Sequence, residues 1–372
     1  MKKTAFLLFG TGETCADLLY ASGFSAPDPV VMLVRGREKV LVVSPLEEGR
    51  ARSVAKRGVS VVTPDELVPG GPRRKRPREE WMQALLRTRK IRTVAVPAGF
   101  PIGMARQLER RGIRVRVAKG RIFDRRVKNS GEVRRIAGVQ RASVTAMRAA
   151  IALIRKATVD SRGYLKCGGK RLTSEAVRER IAHVLLAYGC GGPSPIVAGG
   201  RSAADPHDIG HGPLREGETI VIDIFPRHSE HGYWGDITRT VVKGKPSRRA
   251  QAMYEAVIEA QRTALRTIRA GAKAGAIHKA VQTVFVRRGF KTEKTGGRRI
   301  GFFHGTGHGV GLEIHEEPSL SDNPGRLRKG HVVTVEPGLY YPESGGVRIE
   351  DTVVVTRRGW RYLATCGKAF RV

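Results

Sequence analysis

Cysteine is sparse in this chain: four among 372 residues (Cys15, Cys167, Cys190 and Cys366), widely spaced and without a C-x-x-C pair. That excludes a disulfide-dense scaffold and suits free thiols in a reducing, cytoplasmic compartment. Aromatics make up 6% of residues, and no stretch approaches the ~20 apolar residues that a membrane span requires. No Gly-X-Y or heptad period is present, and 40% hydrophobic residues are too many for a disordered chain. Acidic residues are also few. Asp plus Glu number 34 against 68 Lys plus Arg, a formal net charge of +34. So large an excess predicts attraction to polyanions such as nucleic acid, acidic lipid or acidic peptides, and says nothing about fold. Met1-Lys2-Lys3 and the apolar run at 5–9 have the look of a secretory leader. The run stops at Gly10-Thr11-Gly12-Glu13 with no small-residue cleavage site, so a short buried strand is expected there.

The length allows two or three domains. Up to about residue 118, β-rich runs (5–9, 30–34, 40–43, 59–62, 93–96 and 113–117) alternate with amphipathic stretches at 46–57, 79–90 and 103–111. This is the pattern of a compact α/β domain on a mixed or parallel sheet. The basic stretch 72–78 reads as a solvated connection, with a polyanion contact as the alternative. Composition changes near 124–130, which sets domains of 1–124 and 125–372. Ser130 is expected to cap a long helix with Glu132 in its first turn. Helices are further expected at 174–188, 247–269 and 274–288, and strands at 219–225, 237–242, 332–335 and 347–356. The second domain thus reads as two successive copies of helix, helix, strands, an arrangement in which both halves can donate to one interface.

Charged side chains inside apolar strands are costly unless partnered. Val221-Ile222-Asp223-Ile224-Phe225 sets a carboxylate in the middle of a core-like strand, and Gly235-Asp236-Ile237-Thr238 opens the next with a second. In the other half, Val332-Val333-Thr334-Val335-Glu336 ends a buried strand on a third, and Val347-Arg348-Ile349-Glu350-Asp351 places a fourth, Glu350. Between the two sets lies His304-Gly305-Thr306-Gly307-His308-Gly309-Val310-Gly311, followed by His315. Four acids converging from paired strands repel one another, and multivalent cations resolve the repulsion. Four carboxylates with one imidazole make a site for two metal ions, whose mixed oxygen and nitrogen ligation suits Mn²⁺, Co²⁺, Fe²⁺ or Zn²⁺ better than Ca²⁺. The competing account is that each acid pairs with an arginine of the sheet. Four such acids beside a glycine-flanked histidine weigh against it.

These residues resemble the pita-bread metallopeptidases, the family of aminopeptidase P, prolidase and methionine aminopeptidase. The resemblance covers about residues 125–360 and rests on the histidine segment 304–315, Thr-Val-Glu-Pro-Gly-Leu-Tyr at 334–340 and Val-Arg-Ile-Glu-Asp at 347–351. It implies a creatinase-like α/β N-terminal domain followed by an α+β pita-bread domain with a pseudo-two-fold duplication. It further implies that Asp223 chelates one metal ion, that Asp236 and Glu350 bridge both, and that His308 and Glu336 bind the second, with Mn²⁺ the foremost metal. Thr238 would steady a bridging group from behind. A hydroxide bridging the two ions would be the nucleophile near neutral pH, with Glu336 shuttling its proton to the leaving nitrogen. His304 and His315 would hydrogen-bond the substrate and the developing oxyanion. His207, in Asp205-Pro206-His207-Asp208, matches the family's upstream histidine at the substrate pocket. Ordinary loop histidines are the alternative for these three.

Arg348 lies two residues before Glu350, hence on the same strand face. The aminopeptidase P and prolidase branch carries this arginine and the large N-terminal domain. The resemblance therefore implies cleavage of the Xaa-Pro bond at peptide N-termini, in substrates with proline at the second position, by a dimer or tetramer. Balancing the acidic cluster is the other job open to Arg348. One departure stands out: Asp236 follows Asp223 by thirteen positions, two more than is usual. The extra residues fall around Pro226-Arg227-His228-Ser229-Glu230-His231, where His228 and His231 are expected in a solvated turn. Adding two residues to a hairpin preserves side-chain parity, so both aspartates can still face the metals. Two other readings stay open. One is a polyanion-binding protein on a peptidase scaffold, with nucleic acid as the contact the charge suggests. The other is a non-peptide C–N hydrolase using the same metal site.

Overall fold

The computed structural model describes residues 4–67 and 77–372, in two compact units, Met1–Arg125 and Arg126–Val372. Of the basic stretch at 72–78, all but Pro77 and Arg78 lies outside the described residues.

The first unit combines strands β1 (Ala5–Gly10), β2 (Val30–Arg35), β3 (Glu38–Val42), β4 (Ser60–Val62), β5 (Thr93–Val96) and β6 (Arg114–Val117) in the order β4-β3-β2-β1-β5-β6. β1, β2 and β3 form an antiparallel meander, while β4 on β3, β5 on β1 and β6 on β5 join in parallel, so the sheet is mixed. Its helices are α1 (Ala16–Ser22), α2 (Glu48–Val54), α3 (Pro64–Leu67), α4 (Arg78–Thr88) and α5 (Ile102–Arg110). The central strands read as unbroken apolar runs because both faces are covered. Leu7, Leu33 and Val40 pack with Trp81, Met82 and Leu85 of α4, whereas Leu8, Met32 and Leu41 pack the other way with Leu18 of α1 and Phe24. Nothing in the sequence pattern announces α1. It has 7 residues, too few for a helical period to show, and closes on Gly23 at φ 72°.

The second unit runs through the helix–helix–strand scheme twice. Its first half holds α6 (Ser130–Lys156), the small strands β7 (Thr158–Val159), β8 (Leu165–Cys167) and β9 (Lys170–Arg171), then α7 (Ser174–Leu186). β10 (Cys190–Gly191), β11 (Ile196–Gly199), β12 (Ile220–Ile224), β13 (Arg227–His228) and β14 (Ile237–Val241) follow, with β11-β12-β14 as one antiparallel sheet. The second half holds α8 (Arg248–Thr267), α9 (Ala274–Arg287), the hairpin β15 (Glu293–Thr295) and β16 (Arg298–Ile300), and five further strands. Of these, β17 (Val332–Val335), β20 (Asp351–Val355) and β21 (Trp360–Tyr362) form one sheet, in the order β17-β20-β21. β18 (Gly338–Tyr341) and β19 (Gly345–Arg348) pair separately.

Two expectations change here. The cap of α6 is Asn129, not Ser130. The Asn129 side chain accepts from Glu132 N at 3.0 Å and Asn129 N donates to the Glu132 carboxylate at 2.9 Å, and a reciprocal box of this kind needs the acid three residues on. The single strand expected over 347–356 is two. β19 pairs with β18 and β20 with β17, and between them Glu350 N turns to donate to Thr238 O at 3.0 Å. That break stitches the two halves together. Thr240 Oγ1 donates to Arg348 O, and Thr352 Oγ1 to Asp236 O at 2.8 Å.

Candidate metal centre

Each half delivers its acids through strand register. Asp223 stands opposite Thr238 in the β12–β14 pairing, so Asp223, Thr238 and Asp236 share one face. The longer connection leaves that register intact, as the parity argument requires. It is not a solvated turn, however. His228 and His231 are half-buried and stacked at 3.8 Å, each with Nδ1 accepting a backbone N–H, and burial holds His231 down at about 4.

Asp236 is fixed from α6. Gln140 Nε2 donates to Asp236 O at 2.7 Å and its Oε1 accepts from Asp236 N at 2.8 Å. The preceding Gly235 lets the backbones approach, since a Cβ there would meet Ser143 Oγ at 2.9 Å. In the other half, Thr334 Oγ1 accepts from His308 N and donates to Glu336 Oε1, tying the histidine segment to β17. Gly307 is obligatory at that approach: its Cβ would lie 2.1 Å from Thr334 O.

The ligand atoms of Asp236, His308 and Glu350 lie within 4.8 Å of one another. Glu336 Oε1 is 3.2 Å from His308 Nε2, and Asp236 Oδ2 is 3.6 Å from it. Thr238 Oγ1 donates to Glu350 Oε2 at 2.7 Å. Asp223 takes a different partner: its Oδ2 pairs with Arg348 Nη2 at 2.7 Å. These residues, with His207, His304 and His315, line one cleft of 610 Å³, Thr238 standing just behind it. His207 is exposed on its loop, and His315 meets the His308 ring edge-on at 4.3 Å.

Two buried oxygens in this cluster, Asp223 Oδ1 and Glu350 Oε1, have no hydrogen-bond partner. Buried carboxylate oxygens without partners are expensive, and oxygens facing a histidine and further carboxylates are what divalent cations take. The donor set therefore fits metal. The electrostatics agree. Burial first, and neighbouring carboxylates second, push Asp236 and Glu350 well above the ordinary carboxylate range. Burial would also raise Glu336, but His308, His304 and Arg348 outweigh it and hold it at about 2. His308 is pushed to about 9, burial being overcome by Glu336 and Asp236. A bound cation supplies the positive charge that Asp236 and Glu350 lack.

A residue given no role from sequence, Tyr340, links the arginine to His304. Its hydroxyl lies 2.9 Å from both Arg348 Nη1 and His304 Nε2. His304 Nδ1 faces Gly305 O at 2.7 Å and must carry the proton, so Nε2 accepts from Tyr340, and Tyr340 accepts from Arg348. Burial keeps His304 at about 4, hence neutral, with both ring nitrogens engaged. A tyrosine hydroxyl in a short strand beside the Glu336 motif is the signal that could have found it.

The family model for metallopeptidase family M24 matches residues 134–357. This chain belongs to that family. Among curated relatives of this M24 chain, an Xaa-Pro dipeptidase of Pyrococcus furiosus is 35% identical over 199 residues, 52% of this chain and 54% of the relative. An uncharacterized peptidase of Bacillus subtilis is 38% identical over 168 residues, 45% of each. The chain thus spans about half the length of the curated relatives it matches. Among solved structures, a Pyrococcus horikoshii prolidase superposes with a TM-score of 0.81 at 26% identity, over 98% of this chain and 95% of that one. An X-Pro aminopeptidase from Thermotoga maritima gives 0.80 at 25% identity, over 100% and 98%. The fold of the M24 unit is the pita-bread fold.

Proposed function

We propose that this M24 chain is a dinuclear metal-dependent peptidase that cleaves the Xaa-Pro bond at peptide N-termini. The observation that carries this reading is the pair of partnerless carboxylate oxygens on Asp223 and Glu350, one from each half, on residues that line one cleft with Asp236, His308 and Glu336. Asp223, Asp236, His308, Glu336 and Glu350 hold two divalent ions, Mn²⁺ foremost, with Co²⁺, Zn²⁺ or Fe²⁺ also suited to the donors. Such ions lower the pKa of water toward neutrality and polarise a carbonyl. Glu336 carries the proton from water to the leaving nitrogen, its carboxylate kept ionised by His308. Thr238 steadies Glu350, and Arg348 steadies Asp223 while Tyr340 anchors it to His304. His315, in the same cleft, donates to the oxyanion. His304 reaches substrate through the bond it shares with Tyr340, and His207 binds substrate at the cleft mouth. The Xaa-Pro dipeptidase and X-Pro aminopeptidase relatives support the proline preference, and the family resemblance implies a dimer or tetramer. Among the described residues no helix is long and apolar enough to cross a membrane, and the four cysteines are free, in keeping with a reducing cytoplasm.

The test is hydrolysis by the Mn²⁺-supplied protein of an Xaa-Pro dipeptide, an Xaa-Pro-Yaa tripeptide and Met-Ala-Ser, with Asp236→Ala as blank. Cleavage before proline that vanishes in the variant is the expected result, and length preference separates dipeptidase from aminopeptidase. Bound metal with no cleavage of any peptide overturns the reading in favour of another C–N substrate.

A further inference from the structure

Beside the cleft, a second cavity of 570 Å³ shares Asp205, Pro206 and Phe303 with it and continues over Arg201, Arg298 and Arg299. Arg298 and Arg299 come from β16, just after the hairpin turn at Gly296 (φ 57°) and Gly297 (φ 79°), and Arg201 from the turn after β11. All three are exposed, and among the described residues no carboxylate lies within ion-pairing distance of them. Asp205 and Asp208 also line the cavity, their Oδ1 atoms accepting from His207 N and Gly210 N, so three guanidiniums there stand against two carboxylates. The recess therefore keeps an excess of positive charge, with no arginine in it ion-paired among the described residues, and planar guanidinium groups are the side chains best matched to carboxylate.

We propose that this vestibule is a subsite for a carboxylate downstream of the scissile bond, so that the enzyme favours Xaa-Pro peptides whose following residue is acidic. The inference rests on the peptidase reading above. A substrate cleaved after its first residue extends only downstream, and a chain leaving the cleft past Phe303 and Pro206 meets the arginines. The same arrangement gives part of the +34 charge a use.

The experiment compares Ala-Pro-Glu-NH₂, Ala-Pro-Lys-NH₂, Ala-Pro-Ala-NH₂ and free Ala-Pro-Ala in the wild type and in Arg298→Gln/Arg299→Gln. The Glu, Lys and Ala amides, each with a fluorophore on its C-terminal amide, are also titrated against metal-free protein by anisotropy. Exposed charge pairs give about a fivefold preference in kcat/KM and in affinity for Glu over Lys. It should shrink toward unity in the variant and at high salt, while Ala-Pro-Ala-NH₂ is cleaved equally by both proteins. Preference for free over amidated Ala-Pro-Ala alone would assign the site to the terminal carboxylate. Equal handling of Glu and Lys together with equal handling of acid and amide, or a preference that survives in the variant, overturns the proposal. So does arginine-dependent binding of single-stranded RNA with no arginine-dependent binding of acidic peptide. If no peptide is cleaved, the peptidase reading falls and the anisotropy series still decides the subsite.

Discussion

Gln140 touches no candidate ligand's side chain, yet replacing it should loosen the site. It is 1% exposed on α6 and holds both backbone polar groups of Asp236, at 2.7 and 2.8 Å. Gln140→Leu keeps the shape and removes both bonds. Asp236 O retains Thr352 Oγ1 at 2.8 Å, so its loss is one ordinary hydrogen bond, while Asp236 N–H becomes a buried donor without an acceptor. An orphaned donor costs about 1–3 kcal/mol and a lost bond about 1, which together give about 2–4 kcal/mol. Because the freed backbone carries the carboxylate, metal affinity should fall about 10–100-fold as well. Urea denaturation of metal-free protein measures the first quantity and calorimetric Mn²⁺ titration the second. A stability loss below about 0.5 kcal/mol, the scale of a neutral surface change, with unaltered Mn²⁺ affinity would refute the argument.

Three further outcomes are expected. In metal-free protein, His308 rises from 6.5 to about 9 on folding, so its contribution is fully present below pH 6.5 and is lost as pH climbs through 9. The wild type minus His308→Gln difference, about 3 kcal/mol at most, should fade over that window in pH-dependent urea melts. Saturating Mn²⁺ should reverse the trend, since a ligating imidazole must be unprotonated. Tyr340→Phe removes the hydroxyl between Arg348 and His304, and should cost about 1–2 kcal/mol while lowering kcat more than it raises KM in peptide assays. Gly307→Ala drives a Cβ to 2.1 Å from Thr334 O, and should cost about 1–3 kcal/mol in urea melts and weaken Mn²⁺ binding by shifting His308.

The acids were legible because a carboxylate in the middle of Val221-Ile222-Asp223-Ile224-Phe225 contradicts its own strand. No comparable contradiction marks Gln140, whose partner is the backbone of Asp236, far away in sequence and identifiable only once α6 lies against β14. Local rules also left one-residue ambiguities: Asn129 and Ser130 are both good caps, and only the reciprocal bonds with Glu132 choose between them. The split of 347–356 into β19 and β20 was hidden because no Gly or Pro within it marks a turn, and the break serves a tertiary bond from Glu350 N to Thr238 O. His304 and His308 look alike on paper. Packing separates them: burial between Gly305 and Tyr340 lowers one, while Glu336 and Asp236 raise the other in the metal-free protein.

The neighbouring pair Glu350 and Asp351 shows how a chain so rich in arginine keeps acids available for metal. Asp351 is neutralised outright: Arg239, 1% exposed, meets it at 2.7 Å, and Lys368 at 2.6 Å. Glu350, one residue earlier, receives Thr238 instead, and its Oε1 has no partner. The difference is parity along β14. Thr238 meets Glu350 and Thr240 the backbone of Arg348 on one face, whereas the Arg239 side chain between them points to the other and pairs with Asp351. Exchanging the order, by Thr238→Arg with Arg239→Thr, would place a guanidinium against Glu350 and leave Asp351 to Lys368 and Gln261. Loss of Mn²⁺ binding together with destabilisation is the expected result, read by calorimetry and urea melts. Retained Mn²⁺ binding in that variant would mean that Glu350 is not a ligand. The alternation of one strand, more than the overall charge, decides that Asp351 and not Glu350 meets the guanidinium of Arg239.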